Sequence, residues 1–179
     1  MKSAEIALLS LLSEKPRHAY EIEQVIEARG MRNWTEIGFS SIYYLLNKLQ
    51  AAGLIESRME HPRGPGPARK VYSILPEGEA ALRDGVLQAL SEPKQYHPEL
   101  LLGIANLPLV SRSEAVKALE RYLEALDERR AEMVESWNRE QRLPFHVEKL
   151  FLYSDTLLRA ERNWIENLIA ELEEKDVEG

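Results

Sequence analysis

Residues 40–75 read SSIYYLLNKLQAAGLIESRMEHPRGPGPARKVYSIL, and this segment combines a helical pattern with two extended runs. Apolar side chains recur there at the spacing of one helix face, at Ile42, Leu45, Leu46 and Leu49. Ser40 or Ser41 can cap the helix N-terminus, and Gly53 predicts its end. The two extended runs flank a Pro/Gly-rich cluster that neither a helix nor a sheet accommodates. The segment therefore predicts a helix followed by a β-hairpin.

Further helices lie on both sides of this segment. Apolar periodicity predicts one helix at about 3–13 and a second at about 18–29, and Pro76 suits the first turn of another that runs to about residue 90. Three helices followed by a Pro/Gly-tipped hairpin are the order of a winged helix-turn-helix. We therefore expect a mainly α fold of that type with a two-stranded wing.

The back half of the chain is almost entirely helical. Periodicity predicts three helices, at about 99–106, 111–137 and 145–174. Ser111 and Glu114 have the spacing of a capping box at the start of the second. The Pro-containing segment at 91–94 marks a boundary, so we predict a winged-helix domain at 1–92 and an all-helical domain at 93–179.

The last predicted helix carries a wider apolar stripe than one partner helix would cover. Each large side chain that is fully buried contributes about 1.5–3 kcal/mol. We therefore predict that a second copy of the chain covers the remainder, the alternative being a self-contained three-helix bundle. The predicted dimerisation residues are Leu150, Phe151, Leu157, Leu158, Trp164, Ile165, Leu168 and Leu172.

Composition excludes several classes of protein. The chain has no cysteine, which excludes disulfides and thiolate metal sites and fits a cytoplasmic protein. No apolar run reaches the roughly 20 residues that a membrane-spanning helix needs. The net charge of −7 is unevenly distributed, since residues 1–76 hold 10 basic and 8 acidic side chains whereas 77–179 hold 13 and 22. This asymmetry predicts two modules with different partners.

The third helix presents a polar face opposite its apolar one. Six side chains fall together on that face, and none of them is an acid: Ser40, Tyr43, Tyr44, Asn47, Lys48 and Ala51. Asn can pair with an adenine edge, hydroxyls can bind phosphate and Lys supplies charge, so this face suits the major groove of duplex DNA. The hairpin adds basic side chains at Arg58, Arg63, Arg69 and Lys70. Taken one by one, these residues also fit ordinary solvent-exposed surface.

Two other interpretations compete with DNA binding. The negative net charge leaves open a winged-helix module that binds another protein and no DNA. An enzyme with a helical lid would need clustered titratable groups, but the four histidines are scattered at positions 18, 61, 97 and 146, and no nucleophile-elbow or phosphate-loop motif occurs. We therefore predict no enzyme activity, no metal and no cofactor.

Five segments of the front half carry a family resemblance. They are HAYEI at 18–22, SSIYYLLNKL at 40–49, AGLIE at 52–56, RKVYSI at 69–74 and PEG at 76–78. Together they resemble the PadR family of bacterial transcriptional regulators. In the back half, AERNWI at 160–165 and the helix pattern resemble the longer members of that family, in which a helical C-terminal domain makes the dimer.

The resemblance implies a homodimeric, cytoplasmic regulator, most often a repressor, that a small molecule releases from double-stranded DNA. The family's recognition-helix positions fall on Ser40, Ser41, Tyr43, Tyr44, Asn47 and Lys48, its wing positions on Arg63, Arg69 and Lys70, and a position near the DNA backbone on Tyr20. Two positions depart from the family pattern. Leu75 stands where a capping Thr is usual, and Lys48 stands where Arg is more usual, which puts a bidentate guanine contact in doubt but not a phosphate contact.

The two tryptophans of the back half fit two roles. Trp137 and Trp164 have the spacing of core residues, and they could equally line an effector pocket between helices or at a dimer seam. The family's habit of binding planar aromatic ligands adds weight to the pocket role, and both roles stay open.

Overall fold

The structure is a computed structural model that describes residues 1–35, 37–38, 41–61, 68–95, 98–138 and 143–177. The chain folds as two compact units, Met1–Gln95 and Tyr96–Gly179. Both are mainly helical, and the first contains a small antiparallel sheet, which confirms the predicted fold class. The assignment of DNA binding to residues 1–92 and of dimerisation to 93–179 stays a prediction. Within the described ranges, no helix combines the length and apolar character needed to cross a membrane.

The first unit has the element order of a winged helix. Its helices are α1 (Ser3–Glu14), α2 (Ala19–Ala28), α3 (Ser41–Ala51) and α4 (Pro76–Ser91), with a 3-10 turn at Met31–Asn33, and its strands are β1 (Arg17–His18), β2 (Ile55–Glu60) and β3 (Arg69–Ile74). The sheet order is β1-β3-β2. The predicted hairpin is β2–β3, and its tip at 62–67 lies outside the described residues. The two-stranded wing gains β1 as a third strand, which was not predicted because two residues show no periodicity.

The apolar face of α3 is buried in the core of this unit. Ile42 and Leu46 are fully buried and belong to one cluster with Leu8 of α1 and with Ile22 and Ile26 of α2. Full burial of each such side chain contributes about 1.5–3 kcal/mol. Because this packing fixes the rotation of α3 about its own axis, the opposite face of the helix points to solvent.

A left-handed glycine ends α3 and starts the wing. Gly53 has a φ of 70°, its N–H donates to the Gln50 carbonyl, and the Leu54 N–H donates to the Leu49 carbonyl, both at 3.0 Å. These bonds form a Schellman-type C-cap. The Leu54 carbonyl accepts the N–H of Leu75 at 3.0 Å, which ties the end of α3 to the start of α4. Leu75 provides no side-chain cap for α4.

Side chains fix the starts of α1 and α2. Lys2 is the N-cap of α1, and its N–H donates to the carboxylate of Glu5 at 2.9 Å. His18 caps α2 through Nδ1, which accepts the N–H of Glu21 at 3.0 Å. His18 also belongs to β1, so the sheet determines where α2 begins.

The second unit is built on an antiparallel helix pair. Its helices are α5 (Glu99–Ala105), α6 (Arg112–Asn138) and α7 (Phe145–Val177), with a 3-10 turn at Leu107–Leu109. The predicted capping box is confirmed, because the Ser111 N–H donates to the Glu114 carboxylate at 2.9 Å and the Glu114 N–H donates to Ser111 Oγ at 3.3 Å. α5 contributes no buried side chain. It therefore does not act as the third helix of the self-contained bundle considered above.

Candidate nucleic-acid interface

The outer face of α3, formed by Tyr43, Tyr44, Asn47 and Lys48, lies on the solvent side of the helix. Tyr43 is 62% exposed and Tyr44 67% exposed, so neither packs into the core. Asn47 is exposed as well. Ser41 is half-buried, and its hydroxyl donates to the Gly38 carbonyl at 2.7 Å. The hydroxyl proton therefore stabilises the start of the helix and is already used as a donor. The predicted positions Ser40 and Arg63 lie outside the described residues.

Four predicted DNA-contact residues from three elements meet in one groove. The groove has a volume of about 580 Å³ and is lined by His18, Ala19, Tyr20, Tyr43, Arg69, Lys70 and Tyr72. The antiparallel pairing of β1 with β3 brings this about, because it sets His18 opposite Val71 and so places the start of α2 beside the basic end of β3. We call this the aromatic–basic groove. Nothing in the sequence pattern indicated that the four predicted residues lie together, because the pairing of β1 with β3 joins distant segments.

The chemistry of the aromatic–basic groove suits a phosphate backbone. The described residues that line it include the exposed cations Arg69 and Lys70 and no acid. Lys70 Nζ lies 5.1 Å from the centroid of the Tyr72 ring, within cation–π range, which restrains the ammonium at the groove. The N-terminus of α2, which favours anions, opens at Ala19 on the same surface.

Arg58 does not belong to this basic surface. It lies on β2, and its guanidinium pairs with the carboxylate of Glu60 on the same strand at 2.6 Å. In the β2–β3 register Glu60 stands opposite Arg69. Arg58 is therefore less available to a phosphate than its place in the sequence of the wing suggests.

Lys48 has an acidic neighbour that its own helix does not contain. The Nζ of Lys48 donates to the carboxylate of Glu5, which α1 brings to the edge of α3. The hydrogen bond from Lys48 is the main cause that lowers the pKa of Glu5, and the same bond raises the pKa of Lys48. The described residues on the outer face of α3 include no acid, but Glu5 of α1 neutralises Lys48 from beside that face. The signal in the sequence was Glu5 itself, an acid within the apolar first helix.

Two of the predicted dimerisation residues face their own chain. Ile165 is fully buried and Leu158 is 9% exposed, because both lie on the side of α7 that packs on α6. Their assignment to a dimer interface is therefore corrected. Leu157 and Trp164 are exposed, and Tyr153, which the prediction omitted, is exposed one turn before Leu157. The remaining members are half-buried, namely Leu150, Phe151, Leu168 and Leu172.

Trp137 and Trp164 do not share a pocket within one chain. The ring of Trp137 stacks on Phe151, with centroids 5.7 Å apart. About 20 Å of α7 separates Phe151 from Trp164, at about 1.5 Å per residue. The assignment of either tryptophan to an effector pocket stays a prediction.

The second unit has a groove lined by charged and polar side chains, and neither tryptophan is among them. It has a volume of about 600 Å³ and is lined by Asp127, Arg130, Arg159, Arg162 and Asn163. Arg162 pairs with Asp127 at 2.8 Å, and Arg130 pairs with Asp155 at 2.7 Å. These ion pairs join α6 to α7. Among the described residues no group of histidines and acids is arranged to hold a metal ion.

The exposed third helix, the wing and the groove beside them have the arrangement of a winged-helix domain. A model of the PadR-like family of transcriptional regulators matches residues 8–84, which span this domain. The first unit is therefore similar to the PadR-like family of transcriptional regulators, and this similarity covers residues 8–84 of the 179-residue chain.

Solved structures share this fold at low sequence identity. Bacillus subtilis PadR in complex with operator DNA superposes with a TM-score of 0.77 at 20% identity, covering 94% of this chain and 98% of that one. The same protein with p-coumaric acid gives 0.72 at 19% identity, with 94% of each chain covered. The Vibrio cholerae virulence activator AphA gives 0.73 at 20% identity, covering 96% of this chain and 98% of that one. No curated protein matches the chain in a sequence comparison.

Proposed function

We propose that the protein is a cytoplasmic, sequence-specific DNA-binding repressor that acts as a homodimer and that a small molecule releases from its operator. The observation that carries this proposal is the convergence of Tyr20, Tyr43, Arg69 and Lys70 on one aromatic–basic groove beside an exposed helix. A protein-binding surface would not need cations and a helix N-terminus arranged for phosphate.

The geometry suggests how each part contacts DNA. α3 enters the major groove, where Asn47 reads a base edge and the hydroxyls of Tyr43 and Tyr44 bind phosphate or base. Arg69 and Lys70 neutralise phosphates of the adjacent backbone, and the start of α2 accepts another. Sequence selection comes from α3, whereas the aromatic–basic groove supplies affinity that depends on salt.

Exposed apolar side chains on α7 support the homodimer. Tyr153, Leu157 and Trp164 recur at helical spacing and are exposed in the protomer. Large apolar side chains clustered on a surface mark an interaction site. A second copy is the partner with the same stripe, and two-fold pairing would bury both stripes at once.

Repression and release are the regulatory parts of the proposal. A dimer that occupies two successive grooves occludes the promoter it covers. The B. subtilis relative was crystallised with operator DNA and with p-coumaric acid, which supports a ligand that competes with DNA by favouring another dimer geometry. AphA is described as an activator. Measuring transcription from the selected operator with and without the protein therefore shows whether the protein represses or activates.

Selection of genomic fragments by the purified protein, followed by footprinting, tests the function. We expect two protected half-sites related by two-fold symmetry, with centres about 34 Å apart, because each α3 of a dimer reads one major groove. Binding that stays weak and equal for all sequences at physiological salt would contradict the proposal and favour the protein-binding module.

Two charges on the α7 stripe should separate the dimer. Leu157→Glu combined with Trp164→Glu is expected to give monomers in sedimentation equilibrium, because burying two uncompensated carboxylates per protomer is unfavourable. The matched control, Ser113→Glu with Ser136→Glu, adds the same charge at exposed positions on α6 and should remain dimeric. A stripe variant that still sediments as a dimer would place the interface elsewhere.

A further inference from the structure

One ion pair connects the DNA-facing helix to the first helix. One carboxylate oxygen of Glu5 accepts a hydrogen bond from Lys48 Nζ, and the other accepts the N–H of Lys2 at 2.9 Å. The Glu5 side chain is 7% exposed, whereas that of Lys48 is 49% exposed. The acid is thus fixed inside the unit, and the cation lies at the rim of the outer face of α3.

We infer that Glu5 is a positioning residue of the DNA-reading helix, which holds Lys48 as a structural partner and withholds its charge from the phosphates. The part of this inference that concerns DNA rests on the proposed function. The part that concerns the placement of α3 does not.

The unequal burial of the two groups decides which contact Lys48 keeps. If Lys48 turned to a phosphate, Glu5 would remain buried with the single donor from Lys2. Leaving a buried charge without its partner is far more costly than breaking an exposed ion pair. A phosphate contact by Lys48 would therefore be offset by the unpaired carboxylate. Arg69 and Lys70 meet no such cost, because no acid occurs among the described residues that line the aromatic–basic groove.

This arrangement favours sequence specificity over affinity. A free lysine on α3 would strengthen binding to every sequence, because phosphates are the same everywhere on the duplex. With Lys48 neutralised by Glu5, α3 contributes base contacts while the wing contributes charge. The pair also joins two positions 43 residues apart and so couples the setting of α3 to α1.

Four variants test the inference: Glu5→Gln, Lys48→Met, the double variant, and the control Asp84→Asn, which removes an exposed acid on α4. Urea unfolding is measured for each, together with the salt dependence of binding to a random-sequence duplex. We expect Lys48→Met to raise the unfolding equilibrium constant at least about tenfold, and the added Glu5→Gln to restore most of it. We expect Glu5→Gln alone to tighten non-specific binding and to steepen the log–log salt slope by about 0.9 per protomer, beyond any effect of Asp84→Asn.

Other outcomes overturn the inference. A Lys48→Met variant that flattens the slope by about 0.9 per protomer makes Lys48 a phosphate ligand. If the changes in the free energy of unfolding caused by Glu5→Gln and Lys48→Met simply add in the double variant, Glu5 does not position Lys48. If Lys48→Met does not fold, a folded double variant supports the coupling and an unfolded one opposes it. The unfolding measurements involve no DNA. They therefore test the positioning role of Glu5 even if the proposed DNA binding proves wrong.

Discussion

Gly78→Ala is expected to destabilise the first unit by about 3 kcal/mol or more, because the site has no room for a methyl group. A Cβ at this position would lie 2.1 Å from the Leu54 carbonyl oxygen and 2.8 Å from Ile74 Cγ1. The carbonyl cannot retreat freely, since it accepts the N–H of Leu75 at 3.0 Å where α4 begins. A shift there would disturb the junction of α3, β2 and α4 together.

Gly85→Ala is the matched control on the same helix. Its Cβ would meet Met1 Cε at 3.0 Å and Ile6 Cδ1 at 3.1 Å, both at the far ends of flexible side chains. Alanine also gains about 0.5–1 kcal/mol of helix propensity over glycine, so the net change should stay within about 1 kcal/mol. Urea unfolding followed by circular dichroism measures both variants. Equal midpoints for the two would show that the approach of α4 to Leu54 is not tight.

Local pattern was enough to predict the elements that carry the interface. The spacing of Ile42 and Leu46 indicated the buried side of α3, and Gly53 indicated where the helix ends, because each signal lies within a few residues of the feature it determines. The capping box at Ser111 and Glu114 was predictable for the same reason.

Contacts between distant segments were beyond such patterns. The strand β1 exists because Arg17 and His18 pair with β3, more than fifty residues later. Periodicity on α7 marked Leu157 and Leu158 alike, but only the packing of α6 shows that Leu158 is buried within the protomer while Leu157 is exposed. The partner of Lys48 is another such contact, and it changes the charge available on the DNA-facing side.

Charge placement reconciles the acidic composition of the chain with the proposed DNA binding. The net charge of −7 is a property of the whole molecule, whereas binding depends on the potential where the phosphates lie. At an ionic strength of about 0.1 M, the Debye length is about 10 Å. Acids of the second unit that lie farther than this from a phosphate in the aromatic–basic groove therefore repel it only weakly. The cations of that groove should therefore carry most of the electrostatic attraction.

Arg69→Ala combined with Lys70→Ala is expected to weaken operator binding on the order of 10³-fold at 0.15 M salt, if each cation neutralises one phosphate in both protomers. Four lost contacts should make the log–log salt slope less negative by about 3.6, and the loss should vanish on extrapolation to 1 M salt, because it is electrostatic. The order of preference among operator sequences should stay the same, since base contacts lie on α3. Both side chains are exposed, so the fold should be retained.

The control for this prediction removes equal charge elsewhere, as Arg83→Ala with Lys117→Ala, two exposed cations on α4 and α6. Titration of the labelled operator at several salt concentrations measures both variants. We expect the control to keep the slope of the unaltered protein within about 1, because net charge acts weakly through screening, whereas a seated cation releases counterions from the phosphate it meets. Equal slopes for the two double variants would mean that the aromatic–basic groove does not seat the DNA backbone, and the phosphate contacts would then have to come from α3 or from the hairpin tip.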